Sequence, residues 1–337
     1  MKAKCIGYIG TFPPPYGGVT IKNKLLYESI SSQYSVVKYQ SRGIIDYVRL
    51  CCTICFSRKP YIIGISATTG KSLMITKLLY TFNRRAMNKS LYFMMGGTES
   101  NRIAKSKEEL KYYSNYRRVY VETRGMKHTL ERAGLSNVDI YPNGRVRPQF
   151  ISKLTETDKL QCVFFSKICK MKGCNDILDA AERLPNVQFS FYGPIEESYE
   201  KEFLHTISTL NNAEYCGLFK GTNAETYNEL SKYDVLLFPT KYDTEGVPGI
   251  IVEAKISGLA IIASGNSYNA ELIEDGVDGI ILDRNDSEKL CSAIMYYDSN
   301  RDELAKHKNK SRMSADSFFI NNYLDGIINE LEIVRGG

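Results

Sequence analysis

The sequence predicts an α/β protein of two Rossmann-like domains, each a parallel sheet covered by helices. Three observations carry this expectation. Short apolar runs alternate with segments of helical spacing along nearly the whole chain, Gly- and Pro-bearing turns punctuate the junctions, and the pattern stops near residue 147 and restarts at Cys162. A chain of 337 residues is long enough for two cores of ordinary size. Ligand loops in such domains gather at the carboxyl ends of the strands, so two sets of loops are expected to face each other across a cleft.

The first domain, 1–147, opens with an apolar strand at 5–10, a Pro-rich loop holding Gly17 and Gly18, and helical spacing over 21–30. The glycine pair lets phosphate or sugar approach the backbone, while the lack of G-x-G-x-x-G argues against a dinucleotide fingerprint. Further strands are expected at 34–39, 61–66, 90–95, 118–122 and 138–141, with helical or mixed apolar segments at 43–57, 73–87, 102–116 and 124–133. Gly70-Lys71-Ser72 looks like the end of a P-loop, but Ile65 stands where the first glycine should be, so a nucleotide hydrolase is not supported. The helix that follows carries Lys71, Lys77, Arg84, Arg85 and Lys89 among Leu73, Ile75, Leu78, Leu79 and Phe82. That pattern is compatible with an anionic surface, or with a core-packed helix whose lysines are solvated. The strand at 90–95 ends at Gly96-Gly97, and the one at 138–141 at Pro142-Asn143-Gly144.

In the second domain, 148–315, a strand at 162–165 leads through a basic loop with Lys167, Lys170 and Lys172 to Gly173 and a helix at 175–183. Strands at 187–192, 213–215, 235–238, 260–263 and 279–282 alternate with helices at 196–210, 224–233 and 270–273, and helices around 286–313 and 316–334 close the chain. The turn Gly193-Pro194 ends the strand at 187–192. After the strand at 235–238 comes Glu245-Gly-Val-Pro-Gly-Ile-Ile-Val-Glu253. Pro248 suits a first helical turn and Gly258 a helix stop. The glycines allow close backbone approach, the helix start attracts an anion, and two carboxylates bracket the turn. Amides for phosphates and carboxylates for hydroxyls point to a sugar nucleotide; the plainer alternative is a capped helix with two surface glutamates.

Composition, 43% apolar and 24% charged, is that of a soluble globular protein and leaves little room for extended disorder. No apolar stretch approaches the ~20 residues that span a bilayer, and the opening apolar run is too short for a signal peptide. Nine cysteines, an odd number, fit reduced thiols in a cytosol; Cys52 and Cys55, with no second pair and no nearby His, are expected to be buried structural thiols. The net charge of +6 hides an asymmetry: residues 1–150 hold 25 Lys and Arg against 8 Asp and Glu, and residues 151–337 hold 19 against 30. A basic half attracts nucleic acid, an anionic membrane surface or a phosphorylated acceptor.

Taken in order, Gly17-Gly18, Gly96-Gly97, Pro142-Asn143-Gly144, the Lys167 to Gly173 loop, Tyr192-Gly193-Pro194 and Glu245-x7-Glu253 resemble the retaining glycosyltransferases of family 4, of the bacterial surface-polysaccharide type, whose fold is GT-B. The resemblance spans nearly the whole chain and is most specific at Glu245-x7-Glu253. It implies a nucleotide-sugar donor, UDP- or GDP-linked, held mainly by the second domain. Lys167 and Lys172 would neutralise the diphosphate; Glu245 and the backbone of Gly246, Val247, Pro248, Gly249 and Ile250 would hold the sugar and β-phosphate; Glu253 would bind the ribose. Gly17 and Gly18 would close over the phosphates, with Gly96, Asn143 and Gly193 in the surrounding ligand loops. Acceptor recognition falls to the first domain, and the last segment, 316–337, is expected to cross back to it. No cofactor and no metal are expected, since no Asp-x-Asp is present and Asp243-Thr-Glu245 is the nearest approach. Met95 stands where many members carry His, and Lys167 where most carry Arg; His128, His205 and His307 fall in expected helices and read as structural.

The function expected is transfer of a sugar, with retention, to a glycan acceptor carried on a lipid diphosphate in surface-polysaccharide synthesis, by a cytoplasmic enzyme peripheral to the inner membrane face. A nucleotide-sugar 2-epimerase of the same fold is the alternative, disfavoured by the lack of a His and acid cluster. A nucleic-acid-binding protein is less favoured still, because no reader motif accompanies the basic half.

Overall fold

The computed structural model describes residues 5–14, 17–40, 44–65, 70–149, 158–243, 246–266, 268–283 and 286–333. Residues 1–147 together with 318–337 form one compact unit, and 148–317 a second.

In the first unit the order is β1 (Cys5–Gly10), α1 (Gly18–Ser31), β2 (Ser35–Tyr39), α2 (Ile44–Phe56), β3 (Tyr61–Gly64), α3 (Lys71–Phe82), α4 (Arg84–Met87), β4 (Leu91–Phe93), α5 (Thr98–Ala104), α6 (Lys107–Tyr113), β5 (Arg118–Val121), α7 (Arg124–Arg132) and β6 (Val138–Ile140). All strand pairs are parallel and the sheet order is β2-β1-β3-β4-β5-β6. The central strands are apolar throughout because helices cover both faces, as in β3, Tyr61 to Gly64, every residue of which is buried. The single helix expected over 73–87 is two helices. Asn83 breaks it: its Oδ1 accepts from the Ala86 amide, capping α4, while its amide group donates to the Ile54 and Ser57 carbonyls at the end of α2.

The second unit runs β7 (Gln161–Phe165), α8 (Cys174–Arg183), β8 (Gln188–Tyr192), α9 (Glu200–Ser208), β9 (Ala213–Gly217), α10 (Asn223–Leu230), β10 (Val235–Phe238), α11 (Gly249–Ser257), β11 (Ala260–Ser264), α12 (Asn269–Leu272), β12 (Gly279–Leu282), α13 (Ser287–Ser299) and α14 (Arg301–Ser314). Its parallel sheet has the order β12-β11-β10-β7-β8-β9. Read by appearance along this domain, that is the 3-2-1-4-5-6 order of a doubly wound sheet, with the order reversing between β7 and β10.

A 3-10 turn, Ala315–Phe318, leads to α15 (Asn321–Ile333), which packs on the first unit. Ile320, Ile327 and Leu331 are buried in the same core as Ile6, Tyr8, Leu26, Ile62 and Phe93. Backbone bonds on both sides of Arg145, to Phe318 O and from Ile320 N, both 2.9 Å, splice the returning chain to the end of the first unit. Glu330 on α15 adds ion pairs with Arg117, at 2.6 Å, and with Arg118. These charges are partly solvated, so the apolar contact should dominate. Ile327→Ala is expected to cost the first unit about 2–4 kcal/mol, and Glu330→Gln about 0–1 kcal/mol, measured by denaturant unfolding. Equal losses would show that the ion pairs, not the buried stripe, hold α15.

Candidate functional site

The reversal of strand order in the second sheet sends α8 and α11 to opposite faces, so the loops after β7 and β10 part there and leave a crevice at the strand ends. The lysine loop follows β7 and the glycine-bearing helix start follows β10; the fold thus brings the two most informative stretches of this domain to one point.

Backbone contacts lace these loops together. The Lys241 amide donates to Met171 O at 2.8 Å, and Lys241 Nζ reaches the Asp176 carboxylate of α8 at 2.9 Å. Burial pushes the Asp176 carboxyl above its ordinary range, and Lys241 works against that shift. Gly173 is left-handed at φ 77°, and a Cβ there would lie 2.2 Å from Pro239 O, so only glycine lets the two loops meet. Gly193 is constrained likewise: φ is 140° and a Cβ would fall 1.9 Å from Ser166 O. The loops after β7 and β8 are joined there by the amides of Ile168, to Pro194 O, and Glu196, to Ile168 O, both at 2.9 Å.

On this frame Lys172 extends over the rings of Phe238, 4.9 Å from the centroid, and Tyr242, 5.4 Å. Its ammonium is therefore held beside the end of β10, on the side of the loop that leads to α11. Lys167 is exposed and ion-paired with Glu196 at 2.5 Å, which raises its pKa. An anion bound there would meet a lysine already shared with a carboxylate. Glu253 is half-buried one turn into α11, on the same face as Gly249. Pro248 differs from the expectation: it is extended, with ψ 123°, and caps the helix, which begins at Gly249. Val247, Pro248 and Ile250 are buried, whereas Gly246 and Gly249 are partly exposed. Glu245 lies outside the described residues.

Other polar groups at these strand ends carry no motif. Ser264 closes the otherwise apolar β11 and donates to Thr240 O at 2.6 Å, joined by Asn266 at 3.3 Å; Asn269 in turn donates to Ser264 O at 3.1 Å. All but Asn266 are fully buried, so they shape the turn after β10. The available signal was a serine ending a run of Ala and Ile. A cavity of about 440 Å³ lies between Phe219 and α10. Glu225 and Glu229 share its lining with Lys220 and Lys232, so it is less suited to a diphosphate than the Lys172 loop.

The remaining expected residues belong to the first unit. Gly17 is the extended cap of α1, its amide donating to Thr20 Oγ1 at 3.0 Å, and open space lies before both Gly17 and Gly18. Gly96 has φ 138°, also with open space before it. Asn143 is buried, and its side-chain oxygen accepts from Arg145, itself buried. Met95 is core: its methyl group lies against Gly64. A pair that the sequence did not flag, Lys22 with Glu122, is buried between α1 and the end of β5. Next to it Asn23 accepts from the Tyr8 hydroxyl at 2.9 Å and donates to Gly64 O at 2.7 Å. Of the histidines, His307 is buried and bonded to the Tyr297 hydroxyl at 2.8 Å, while His128 and His205 are exposed. The expectation of buried thiols fails at Cys52, which is exposed on α2, with Cys55 half-buried; an apolar run in a helix still has an outer face.

Comparison with known proteins adds to this geometry. Residues 146–313 match the family model described as glycosyl transferases group 1. An uncharacterized 41.2 kDa protein in the cps region of Klebsiella pneumoniae is 24% identical over 162 residues, 45% of this chain and 42% of that one. The Vi polysaccharide biosynthesis protein VipC/TviE of Salmonella typhi is 32% identical over 79 residues, 23% of this chain and 13% of that one. The chain thus matches less than half the length of either relative. Among solved structures, Anabaena Alr3699/HepE in complex with UDP and glucose aligns with a TM-score of 0.73 at 16% identity, covering 98% of this chain and 99% of that one. At that identity the likeness is one of fold. The chain has the two-domain α/β fold of the GT-B type, and its second domain matches the group 1 glycosyl transferases.

Proposed function

We propose that the protein is a retaining glycosyltransferase that moves a sugar from a UDP- or GDP-linked donor to a glycan acceptor carried on a lipid diphosphate, without a metal. The observation that carries this reading is that the loop with Lys172 and the helix start with Glu253 follow β7 and β10, the paired strands at the switch point of the second sheet, within the residues that match the family model. The likeness to a Vi polysaccharide biosynthesis protein and to a solved structure in complex with UDP and glucose lends support.

The chemistry follows from where charge develops. As the glycosidic bond to the donor phosphate breaks, positive charge grows on the anomeric carbon and negative charge on the departing diphosphate. Lys172, the amides at the start of α11 and, once it releases Glu196, Lys167 stabilise that negative charge. In our reading Glu245 and the backbone around Gly246 orient the sugar, and Glu253 accepts from the ribose hydroxyls. Retention follows from attack on the face that the leaving phosphate occupies, the phosphate taking the acceptor proton. No protein nucleophile is required. The basic first domain, with Gly17 and Gly18 open at the start of α1, takes the acceptor.

Among the described residues no helix is long and apolar enough to cross a membrane; a lipid-linked acceptor would be met from the surface. Titration with UDP, GDP and an oligonucleotide, followed by a screen of nucleotide sugars for hydrolysis or transfer, tests the reading. Binding of the oligonucleotide alone would sink it.

Two variants separate the roles. Lys172→Ala is expected to lower kcat by about 100-fold with a smaller change in KM, because its charge matters most as the diphosphate leaves. Glu253→Ala is expected to weaken nucleotide binding about 10- to 100-fold, the loss of a charge-assisted bond, as read by calorimetry. Wild-type behaviour in both would overturn the site. Turnover in excess EDTA is expected to stay within about twofold of the untreated rate; a collapse restored by a divalent cation would refute metal independence.

A further inference from the structure

Residues 47–98 contain eight Lys and Arg and no Asp or Glu. The structure gathers part of this charge around large exposed apolar side chains at one corner of the first unit. The amide of Asn83, bonded to Ile54 O at 2.7 Å and Ser57 O at 2.5 Å, ties the ends of α2 and α3 together. Phe56 and Phe82, the last residues of those two helices, are thereby held near one another, 87% and 64% exposed. Val48, two turns earlier on α2, is 55% exposed. Arg58, Arg84 and Arg85 are exposed beside them. Arg84 is braced by the Tyr80 ring, 4.1 Å away, and by the Tyr80 carbonyl at 3.0 Å. None of the three arginines forms an ion pair among the described residues.

We propose that this corner is a membrane-docking surface: Phe56, Phe82 and Val48 enter the interface of an anionic bilayer, and Arg58, Arg84 and Arg85 bind lipid phosphates around them. Two phenylalanines left in water serve no packing purpose in the isolated unit, and each gains by burial in lipid. Cations without nearby carboxylates add attraction for anionic headgroups at each position. A nucleic acid would also meet the arginines. The Asn83 side chain beside the phenylalanines is already engaged by Ile54 O, Ser57 O and the Ala86 amide, and the aliphatic Val48 gains nothing from base stacking, so lipid is the better match. The inference stands on this surface alone and does not depend on the transfer reaction.

The test is co-sedimentation of the full chain with vesicles of phosphatidylcholine alone or with about 30% phosphatidylglycerol, at low and moderate salt. Binding at least about tenfold stronger to the anionic vesicles is expected, weakened by salt. Arg58→Glu with Arg85→Glu should reduce it by more than about tenfold, and Phe56→Ser with Phe82→Ser should reduce it comparably even at low salt. All four positions are exposed, and unchanged circular dichroism and thermal unfolding would show that the variants fold. Equal binding to both vesicles, wild-type binding by both variants, or displacement of the vesicles by a stoichiometric oligonucleotide would overturn the proposal.

Discussion

The parallel pairing of β7 with β10 is the constraint on which the candidate site depends. These strands are distant in sequence, and their register, Val235 beside Cys162 and Leu236 beside Val163, is short. It is secured at its lower end by polar groups. Asp234 receives the Gln161 amide on Oδ2 at 3.0 Å and Lys308 on Oδ1 at 2.6 Å, and its own amide donates to Gln161 O at 2.8 Å. Asp234 and Lys308 are both buried, so removing either partner would strand the other charge in the core. At the upper end the close approach of Gly173 to Pro239 fixes the separation of the two loops. A one-residue slip would exchange the faces of every side chain on β10 and lift Phe238 away from Lys172.

The helix that carries Glu253 is anchored by a similar device. Lys255, two residues further on, is buried and donates to Asp278 Oδ2 at 2.5 Å and Ser314 Oγ at 2.8 Å. Burial lowers its pKa despite that partner, a sign that desolvation outweighs the attraction. Such a pair contributes little net stability compared with an apolar substitute, but it admits one arrangement of α11 against the β11–β12 connection and α14. Gly249 and Glu253 are left as the partly exposed residues of an otherwise buried helix. Orientation, rather than energy, is the use of this pair.

Much of the architecture was legible because it rests on local periodicity. The alternation of apolar runs and helical segments, with Gly and Pro between them, located the strands well, and the glycine pattern brought out Gly173, Gly193 and Gly258. What could not be read was anything decided by a distant partner. Asn83 splits a helix whose apolar spacing continues unbroken, because the carbonyls it caps belong to α2. The Lys22–Glu122 and Asp234–Lys308 pairs join residues 100 and 74 positions apart, and neither lysine differs in its sequence surroundings from a solvated one. Lys167 illustrates the converse: its place in the loop was evident, its pairing with Glu196 on the neighbouring loop was not.

The charge asymmetry of the chain sharpens how the candidate site must work. A domain with an excess of acidic residues is a poor place for a diphosphate if only its total charge counts. Total charge, however, acts through solvent, where the Debye length is about 8 Å at physiological salt. An ammonium within about 4 Å of a phosphate, partly shielded from water, interacts about as strongly as several charges beyond that length. Lys172 sits among the rings of Phe238 and Tyr242, which keep water from one side of it, and it faces the loop leading to a helix start whose partial positive charge points the same way. Local geometry therefore outweighs the sign of the domain. The acidic remainder has a separate consequence in the proposed reading: an anion gains little by resting beside the carboxylates elsewhere on this domain, which favours the loop where Lys172 and its two rings lie.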